Sequence, residues 1–385
     1  MTEPAAPEAE EAASEPEPAA PAATPAPRYP GPEFQALLLD PPLQTADLPG
    51  IGGRIRLSPE DFTVREIPAY GPDGRVGAHL LLTMHKRGLG SEDAIVELSR
   101  QTGIPRPEIG LAGLKDKDAV TEQWISVPFA AGPRLAEFSH PAITLGPAHP
   151  HGNKLRRGHL HGNHFTIVVR ELAVSGEEAA QRIIAKRSRL AELGGLANLY
   201  GNQRLGDSGS NLRRGLEALA AGARRGRADF LLSAGQSALF NLYLLERRSR
   251  GLMRTVLAGD ILKKTATGGL FECREPETDQ ARLDSGELGI TGPMFGSKMR
   301  APGPGTAADA LEQEILELAG ISSTTLKAFG NKVEGTRRPL QLPLVDLELA
   351  LVPATETLPP GLSLQFSLPA GSYATVLLQE LQGPR

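Results

Sequence analysis

The order of apolar patterns along the chain restricts the folds that it can adopt. Strand patterns occupy much of the chain up to about residue 195, an Arg-rich stretch with helical periodicity follows, and strand patterns return from about residue 338. Strands from both ends of a chain can share one sheet, and a helical stretch between them then forms an insertion. We therefore predict an α+β domain built from residues 35–195 and 338–385, interrupted by a mainly helical α/β insertion at 196–337.

Alternating or continuous apolar residues locate the strands of this domain. The segments 54–66, 79–84, 121–129 and 163–172 show these patterns, with a turn inside the first at Ser58-Pro59. In the last segment, Phe165, Ile167 and Val169 share one face because successive side chains of a strand point to opposite sides.

Helix signals occur between these strands. Ser91 is predicted to cap a helix. Ser175 and Glu178 have the spacing of a capping box before a helix whose apolar side includes Ile184. Within the insertion, the Gly-rich segment 267–305 is predicted to form long loops.

The first 34 residues are rich in Ala, Pro and Glu, and we predict that they form a disordered tail. Six glutamates and one arginine give the first 30 residues a charge of −5, so the net charge of −4 leaves +1 for the remainder. The chain has one cysteine, Cys273, which fits a reducing cytoplasm. No apolar run approaches the roughly 20 residues of a membrane span. These features predict a cytoplasmic protein without a membrane partner.

Basic residues cluster despite the low net charge. The clusters are Lys154, Arg156 and Arg157, then Arg213 and Arg214, then Arg224, Arg225 and Arg227. Local basic patches can hold phosphate groups even when the net charge is near zero. Solvated helix faces are the alternative interpretation of any one cluster.

A short polar segment between apolar residues carries the candidate catalytic group. Asp116 lies between Lys115 and Lys117, and apolar residues flank the segment on both sides. Neighbouring positive charge favours the anionic form of a carboxylate, and an ionised carboxylate can act as a nucleophile. A turn aspartate or a helix cap is the alternative, as is a metal site with Asp118, for which no third acidic ligand is close in sequence.

Five of the eight histidines lie between residues 149 and 164. Their density suggests zinc, but they have no cysteine neighbours and no helical ligand spacing. A basic hairpin that lies against phosphate explains them better. Motifs for nucleotide cofactors and for a nucleophilic serine elbow are missing from the sequence.

Two aromatic residues have suggestive neighbours. Phe62 lies in the segment PEDF, and Tyr373 lies in LPAGSYAT, a Gly-containing turn before an apolar helix. Either ring could stack on an unpaired base. Burial in the core is the alternative for each.

Seven segments together resemble one protein family. They are PEDFTVRE at 59–66, AGLKDKDAVTEQW at 112–124, KLRRGHLHGNHFTIVVREL at 154–172, NLYGNQRLGDSGSNL at 198–212, SALFNLYLLERR at 237–248, EGTRRPL at 334–340 and FSLPAGSYATVLLQEL at 366–381. Their order and spacing resemble the tRNA pseudouridine synthase D family, also called TruD, over residues 50–382.

The resemblance implies a fold, a reaction and a set of site residues. The fold is a pseudouridine synthase catalytic core, with a mixed or antiparallel sheet and helices, into which a TRUD domain is inserted. The reaction is the isomerisation of uridine to pseudouridine, with position 13 of tRNA as the family's substrate. Motif matching places the nucleophile at Asp116 and contacts to the target uridine at Phe62, Asn163 and Tyr373. Supporting roles are implied for Lys115, Gln123 and Phe165.

The chain departs from the family pattern at two positions. Tyr373 stands where the family usually has Phe, although other pseudouridine synthase families have Tyr there. Its hydroxyl is a candidate for assisting proton removal. Arg56 stands at a strand position where the family often has Lys, and we predict that it pairs with Asp116 through two hydrogen bonds.

The implied enzyme needs tRNA and no metal or organic cofactor. We expect a monomer without an obligate protein partner. Two rival functions remain: an RNA-binding or RNA-folding module that does not catalyse, and the same reaction on an mRNA or rRNA site. A metal-dependent hydrolase is a more distant alternative.

Overall fold

The structure is a computed structural model that describes residues 28–75, 77–206, 208–222, 229–344 and 346–384. The N-terminal tail as far as residue 27 and the basic cluster of Arg224, Arg225 and Arg227 therefore lie outside the described residues. None of the helices in these ranges is both long and apolar enough to span a bilayer.

Sixteen strands are found in the described ranges. They are β1 (Gly52–Arg54), β2 (Phe62–Pro68), β3 (His79–Arg87), β4 (Gly110–Leu111), β5 (Val120–Pro128), β6 (Ile143–Leu145), β7 (His149–His151), β8 (Leu160–Leu172), β9 (Leu196–Ala197), β10 (Ile261–Lys264), β11 (Leu270–Glu272), β12 (Leu288–Met294), β13 (Thr336–Pro339), β14 (Gln341–Leu342), β15 (Glu348–Val352) and β16 (Gly361–Pro369).

Eleven α-helices accompany the strands within the same ranges. They are α1 (Pro32–Leu39), α2 (Ser91–Thr102), α3 (Gly132–Leu135), α4 (Gly176–Glu192), α5 (Asn202–Leu205), α6 (Ser210–Ala220), α7 (Asp229–Ser249), α8 (Pro276–Asp284), α9 (Ala307–Leu318), α10 (Ser323–Lys327) and α11 (Ala374–Gln382).

A ten-stranded sheet joins the two ends of the chain. Its main order is β15-β16-β8-β2-β5-β3-β6, with β1 beside β8, β4 beside β5 and β7 beside β3. The pair β2/β5 is parallel, and the other pairs are antiparallel. The mixed sheet predicted for an α+β fold is therefore confirmed.

The strands at the centre of this sheet place aromatic and polar side chains in register. Val64 of β2 lies opposite Phe165 of β8, which lies opposite Phe366 of β16. One step along, Glu66 lies opposite Asn163. Phe165, Ile167 and Val169, which share one face of β8, are buried under α4 and α11.

The central part of the chain combines helices with a second sheet. A four-stranded antiparallel sheet, ordered β11-β10-β12-β13, packs against α7, which is the longest helix in the described residues. The prediction of long loops over 267–305 is wrong, because β11, α8 and β12 all lie there. Gly268 and Gly286 take positive φ values in the turns that join β10 to β11 and α8 to β12, so these glycines mark turns and not long loops.

Two other local predictions need correction. Helix α1 begins at Pro32, before the predicted end of the tail, because Phe34 and Leu38 lie one helical turn apart and are both buried. Ile184 is 56% exposed, whereas its neighbour Ile183 is fully buried, so only one of these adjacent residues faces the core. Adjacent positions on a helix point about 100° apart, and one stripe cannot bury both.

Candidate active site

The segment 112–119 forms the loop between β4 and β5, and its side chains alternate between the interior and solvent from Leu114 to Asp116. Leu114 and Asp116 are exposed, whereas Lys115 between them is buried. The Lys115 ammonium forms an ion pair of 2.6 Å with Glu66, whose side chain is fully buried. Glu66 also accepts a hydrogen bond from the Trp124 amide at 3.3 Å. The predicted supporting residue Lys115 therefore anchors the loop to β2 and β5.

Ser91 fixes the same loop from the first turn of α2. Its hydroxyl accepts a hydrogen bond from the Lys115 amide at 2.8 Å and donates one to the side chain of Gln123 at 2.7 Å. The prediction that Ser91 caps its helix is wrong, since Gly90 is the N-cap residue. The predicted supporting residue Gln123 is fully buried and donates to the Gly113 carbonyl at 3.3 Å, so it acts behind the loop.

Lys86 of β3 holds Asp116 itself. Its ammonium donates a hydrogen bond of 2.7 Å to the backbone carbonyl of Asp116 and another to the carbonyl of Leu89. Lys86 is only 2% exposed, and burial lowers the pKa of its ammonium to about 8, while the nearby charge of Asp116 opposes this shift. This lysine puts a positive charge directly below the loop.

Arg56 lies between the carboxylate of Asp116 and the ring of Phe62. One guanidinium nitrogen donates a 2.7 Å hydrogen bond to Asp116, and the guanidinium carbon lies 4.1 Å from the centroid of the Phe62 ring. The prediction of two hydrogen bonds is wrong, because the guanidinium face packs on Phe62 and its Nε is buried without a described partner.

The predicted strand position for Arg56 is also wrong. Strand β1 ends at Arg54, and Arg56 follows with a φ of 62°. Left-handed backbone at a residue with a side chain is unfavourable and is commonly found at functional sites. This conformation directs the arginine toward Asp116.

Phe62, Asn163 and Phe165 form a wall beside the carboxylate. The rings of Phe62 and Phe165 meet edge to face at a centroid distance of 6.3 Å. The Oδ1 atom of Asn163 is buried, yet it accepts no hydrogen bond from the residues that the structure describes. A buried amide oxygen of this kind is ready to accept a hydrogen bond from a ligand.

Tyr373 closes the opposite side as the N-cap residue of α11, which confirms the predicted turn before an apolar helix. Its ring meets Tyr200 at a centroid distance of 5.6 Å. Burial raises the pKa of the Tyr373 hydroxyl. The turn is fixed from below by Arg338 of β13, which donates to the Gly371 carbonyl at 2.9 Å and to the Asn198 carbonyl at 3.0 Å.

These groups surround one small cavity of about 150 Å³. Its lining contains six residues predicted from the sequence: Phe62, Lys115, Asp116, Asn163, Phe165 and Tyr373. Leu114, Gln203 and Thr375 also line it. A larger cleft of about 660 Å³ adjoins the cavity, shares Gln203 and Thr375 with it, and runs along β1 and α11.

The histidine segment runs from β7 through the loop 152–159 into β8. The prediction of a basic hairpin is wrong, because β7 pairs with β3, whereas β8 pairs with β1, β2 and β16. His151 is buried, stacks on Tyr70 at a centroid distance of 5.3 Å, and lies 3.2 Å from a carboxylate oxygen of Asp73. Tyr70 and Asp73, together with Lys154 and Arg156 of the first basic cluster, line a separate cavity of about 510 Å³. The loop 152–159 is joined to the Asp116 loop by a 2.9 Å hydrogen bond from the Gly158 amide to the Ala112 carbonyl.

Four residues of the site were not found by sequence reasoning: Lys86, Ser91, Glu66 and Arg338. Each acts through a contact with a residue more than 20 positions away, which no local pattern reveals. Glu66 and Arg338 belong to segments that carry the family resemblance, so that resemblance is the sequence feature from which their place in the site could have been predicted.

The arrangement combines four chemical capacities around one small cavity. Asp116 supplies an exposed carboxylate, Arg56 a cation, Asn163 an amide, and the rings of Phe62 and Tyr373 apolar surface. An amide and ring faces can bind a planar base, and the carboxylate can act on the atoms held beside it.

The chain matches the family model described as "tRNA pseudouridine synthase D (TruD)" over residues 40–214 and 216–381. A tRNA pseudouridine synthase D from an Anaeromyxobacter species is 44% identical over 354 residues, which cover 89% of this chain and 96% of that protein. A tRNA pseudouridine synthase D from Thermus thermophilus is 41% identical, with 88% of this chain and 91% of that protein covered.

The fold has a similar solved structure. A protein from Methanosarcina mazei, described as a TruD tRNA pseudouridine synthase, superposes with a TM-score of 0.69 at 22% identity. The superposition covers 91% of this chain and 98% of that chain. At this identity the similarity shows a shared fold.

Proposed function

The chain belongs to the tRNA pseudouridine synthase D family, and from that premise we propose that it converts the uridine at position 13 of tRNA to pseudouridine, with Asp116 as the nucleophile. The observation that supports this most is the position of the Asp116 carboxylate, which lines one cavity with Asn163, Phe62 and Tyr373. The relatives are named tRNA pseudouridine synthase D, which supports uridine isomerisation in tRNA. Position 13 is the target that we propose in addition.

The reaction breaks the bond from C1′ of the ribose to N1 of uracil and forms a bond from C1′ to C5. The proton lost from C5 is balanced by one gained at N1, so the exchange needs no oxidant, energy source or cofactor. It needs a nucleophile and a pocket that keeps the free base in place. Asp116 fills the first role in this proposal, and the small cavity fills the second.

Asn163 is assigned to the polar edge of the uracil. Its buried Oδ1 can accept a hydrogen bond from N3–H, and its amide nitrogen can donate to a uracil carbonyl. Phe62 and Tyr373 are assigned to the faces of the base, with Phe165 behind Phe62. Arg56 neutralises the charge of Asp116 and holds its side chain in position.

The surroundings of the cavity supply contacts for the rest of the RNA. The target must leave the folded tRNA, which costs a few kcal/mol. Phosphate contacts from Lys154 and Arg156 would offset this cost, since the loop 152–159 that carries them is joined to the Asp116 loop. The larger adjoining cleft gives room for nucleotides next to the target.

The predicted division into a catalytic domain and an insertion at 196–337 is part of this proposal. Three hydrophobic clusters support it: the buried residues of one come from positions 197–340 with Phe34 and Leu38, and those of the other two come from positions 51–196 and 342–381. A monomeric enzyme that acts in the cytoplasm without an obligate protein partner completes the proposal.

Mapping of pseudouridine in cellular RNA, with and without the gene, tests the function. We expect loss of pseudouridine at position 13 of tRNA in the deletion strain and its return when the gene is restored. Loss at an mRNA or rRNA site alone would favour the rival substrate. An unchanged map, together with tRNA binding by the purified protein, would favour the non-catalytic RNA-binding function.

A further inference from the structure

Leu114 is an apolar side chain that the fold leaves in solvent beside the candidate nucleophile. It is 53% exposed and lies two residues before Asp116. Burial of a leucine stabilises a fold by removing apolar surface from water, so this exposed side chain contributes little to folding. Single exposed leucines are common on protein surfaces. Leu114 differs from the equally exposed Leu351 and Ile184 because it lines the cavity that contains Asp116.

The loop holds Leu114 in this position through both of its neighbours. The Gly113 carbonyl accepts a hydrogen bond from Gln123, and the Lys115 amide donates one to Ser91. The side chain of Lys115 is directed inward by its ion pair with Glu66. Leu114 therefore projects from a fixed backbone at the edge of the cavity, where RNA must approach for a base to enter.

We propose that Leu114 enters the base stack of folded RNA at the place that the target uridine leaves. This inference rests on the proposed function. Extrusion of a base costs a few kcal/mol because stacking on both of its neighbours is broken. An apolar side chain inserted between bases restores apolar contact with those neighbours and is a common device in proteins that deform nucleic acids. Because Leu114 and Asp116 are on one loop, insertion and capture of the base occur together.

The proposal separates the role of Leu114 from that of the catalytic loop. A wedge matters only when the target is stacked in folded RNA, whereas a change in the position of Asp116 would affect every substrate. The test therefore compares Leu114→Ala with the wild-type chain on two RNAs: an unmodified tRNA transcript and a short single-stranded RNA containing the same uridine and its neighbours.

We expect Leu114→Ala to lower kcat/KM on the tRNA at least ~10-fold and to change it less than ~3-fold on the single-stranded RNA. Leu114→Met, which keeps a long apolar side chain, should retain activity on both. Leu351→Ala is the matched control, since Leu351 is 54% exposed and lies on β15 away from the cavity. It should leave both activities unchanged.

A second measurement does not depend on turnover. In the Asp116→Asn background, a tRNA with 2-aminopurine next to the target should become more fluorescent on binding, because its stacked neighbour leaves and an aliphatic side chain does not quench it. Addition of Leu114→Ala should remove at least half of this rise at saturating protein. An unchanged rise, or equal losses of activity on the two RNAs, would overturn the wedge. If the wild-type chain forms pseudouridine on neither of the two RNAs, the proposed function itself is refuted.

Discussion

Tyr373 carries a hydroxyl that the usual Phe of this family lacks. Its surroundings indicate that this hydroxyl contributes little to the proposed reaction. Burial raises the pKa of the hydroxyl, so the phenol stays protonated at neutral pH and is a poor base. The ring, in contrast, lines the cavity and packs on Tyr200. The ring face is therefore the part of Tyr373 that the proposed reaction uses.

We predict that Tyr373→Phe keeps kcat and kcat/KM within about tenfold of the wild-type values, since only a loss above ~1.4 kcal/mol of transition-state stabilisation would exceed that. Tyr373→Ala should lower both values much further, because the base loses one face of its pocket. Steady-state kinetics on a tRNA transcript measure both variants. Equal losses for Phe and Ala would show that the hydroxyl takes part in the reaction.

Lys86 should make stability depend on pH in a defined direction. Burial lowers its pKa from 10.5 to about 8 in the folded chain, so between these values the unfolded chain binds more protons. The free energy of unfolding then rises with pH over this range, by up to roughly 1.4 kcal/mol per unit from this group. Below pH 8 both states are protonated, and the slope from Lys86 disappears.

Lys86→Met isolates that contribution. Urea denaturation of the wild-type chain and the variant at pH 7.0 and 9.5 gives four free energies of unfolding. We predict that the wild-type chain gains stability relative to Lys86→Met as the pH rises. A difference between the two proteins that is constant, or that shrinks with pH, would show that Lys86 titrates normally.

At the scale of elements, the loop before β5 depends on hydrogen bonds from a helix that is not adjacent to it in sequence. Ser91 of α2 joins the backbone of Lys115 to the side chain of Gln123, and all three residues are buried. Removing the hydroxyl leaves a buried amide and a buried carbonyl oxygen without partners. The position of Asp116, one residue further along, should change as a result.

Ser91→Ala is therefore predicted to destabilise the fold by about 1–3 kcal/mol and to lower kcat more than it raises KM. Ser99, about two turns further along the same helix, gives the control substitution Ser99→Ala, since its side chain makes no hydrogen bond among the described residues. Thermal denaturation and steady-state kinetics measure the two effects. A loss of stability with normal kcat would show that α2 does not determine the position of Asp116.

The same elements show what the sequence could predict. Alternating or continuous apolar residues located β2, β3, β5 and β8 within a few residues, because strands buried on one face repeat every two residues and fully buried strands are apolar throughout. Ser91 was misassigned because a serine before an acidic first turn is typical of a cap, and only the folded chain shows that Lys115 and Gln123 compete for its hydroxyl. Tertiary contacts of this kind override local preference.

The sequence predicts part of the site. Local sequence singles out Phe62, Asp116 and Tyr373, and the family resemblance places them with three other lining residues in one pocket. The geometry of Arg56 was not predictable, since it depends on a left-handed backbone and on the ring of Phe62. Buried supports such as Lys86 need a three-dimensional structure, because their partners are backbone carbonyls, which every residue has.

At the scale of the whole molecule, the chain passes twice between its two largest hydrophobic clusters from residue 51 onward. The crossing segments pair with each other as β9 and β14, where Leu196 lies opposite Leu342. Arg338, just before β14, connects the second sheet to the turn of Tyr373 through Gly371 and Asn198. The central part of the chain therefore supports one side of the candidate active site directly.

Binding of tRNA should weaken as salt rises, even though the net charge of the chain is −4. We predict a linear fall of log affinity with log salt, and Lys154→Ala with Arg156→Ala should reduce that slope by about 1 for each phosphate that the variant no longer binds. Arg100→Ala is the control, since Arg100 is equally basic but paired with Glu97 on α2. A slope that the double variant leaves unchanged would exclude the loop 152–159 from phosphate binding.

The most direct test of the central claim is tritium release from tRNA labelled at C5 of uridine, with Asp116→Asn beside the wild-type chain. The two side chains have nearly the same shape, but the amide cannot act as a nucleophile. We predict tritium release by the wild-type chain, a loss of roughly four orders of magnitude or more in Asp116→Asn, and tRNA affinity that stays nearly unchanged. Substantial release by Asp116→Asn, with pseudouridine formed at the same site, would contradict the assignment of Asp116.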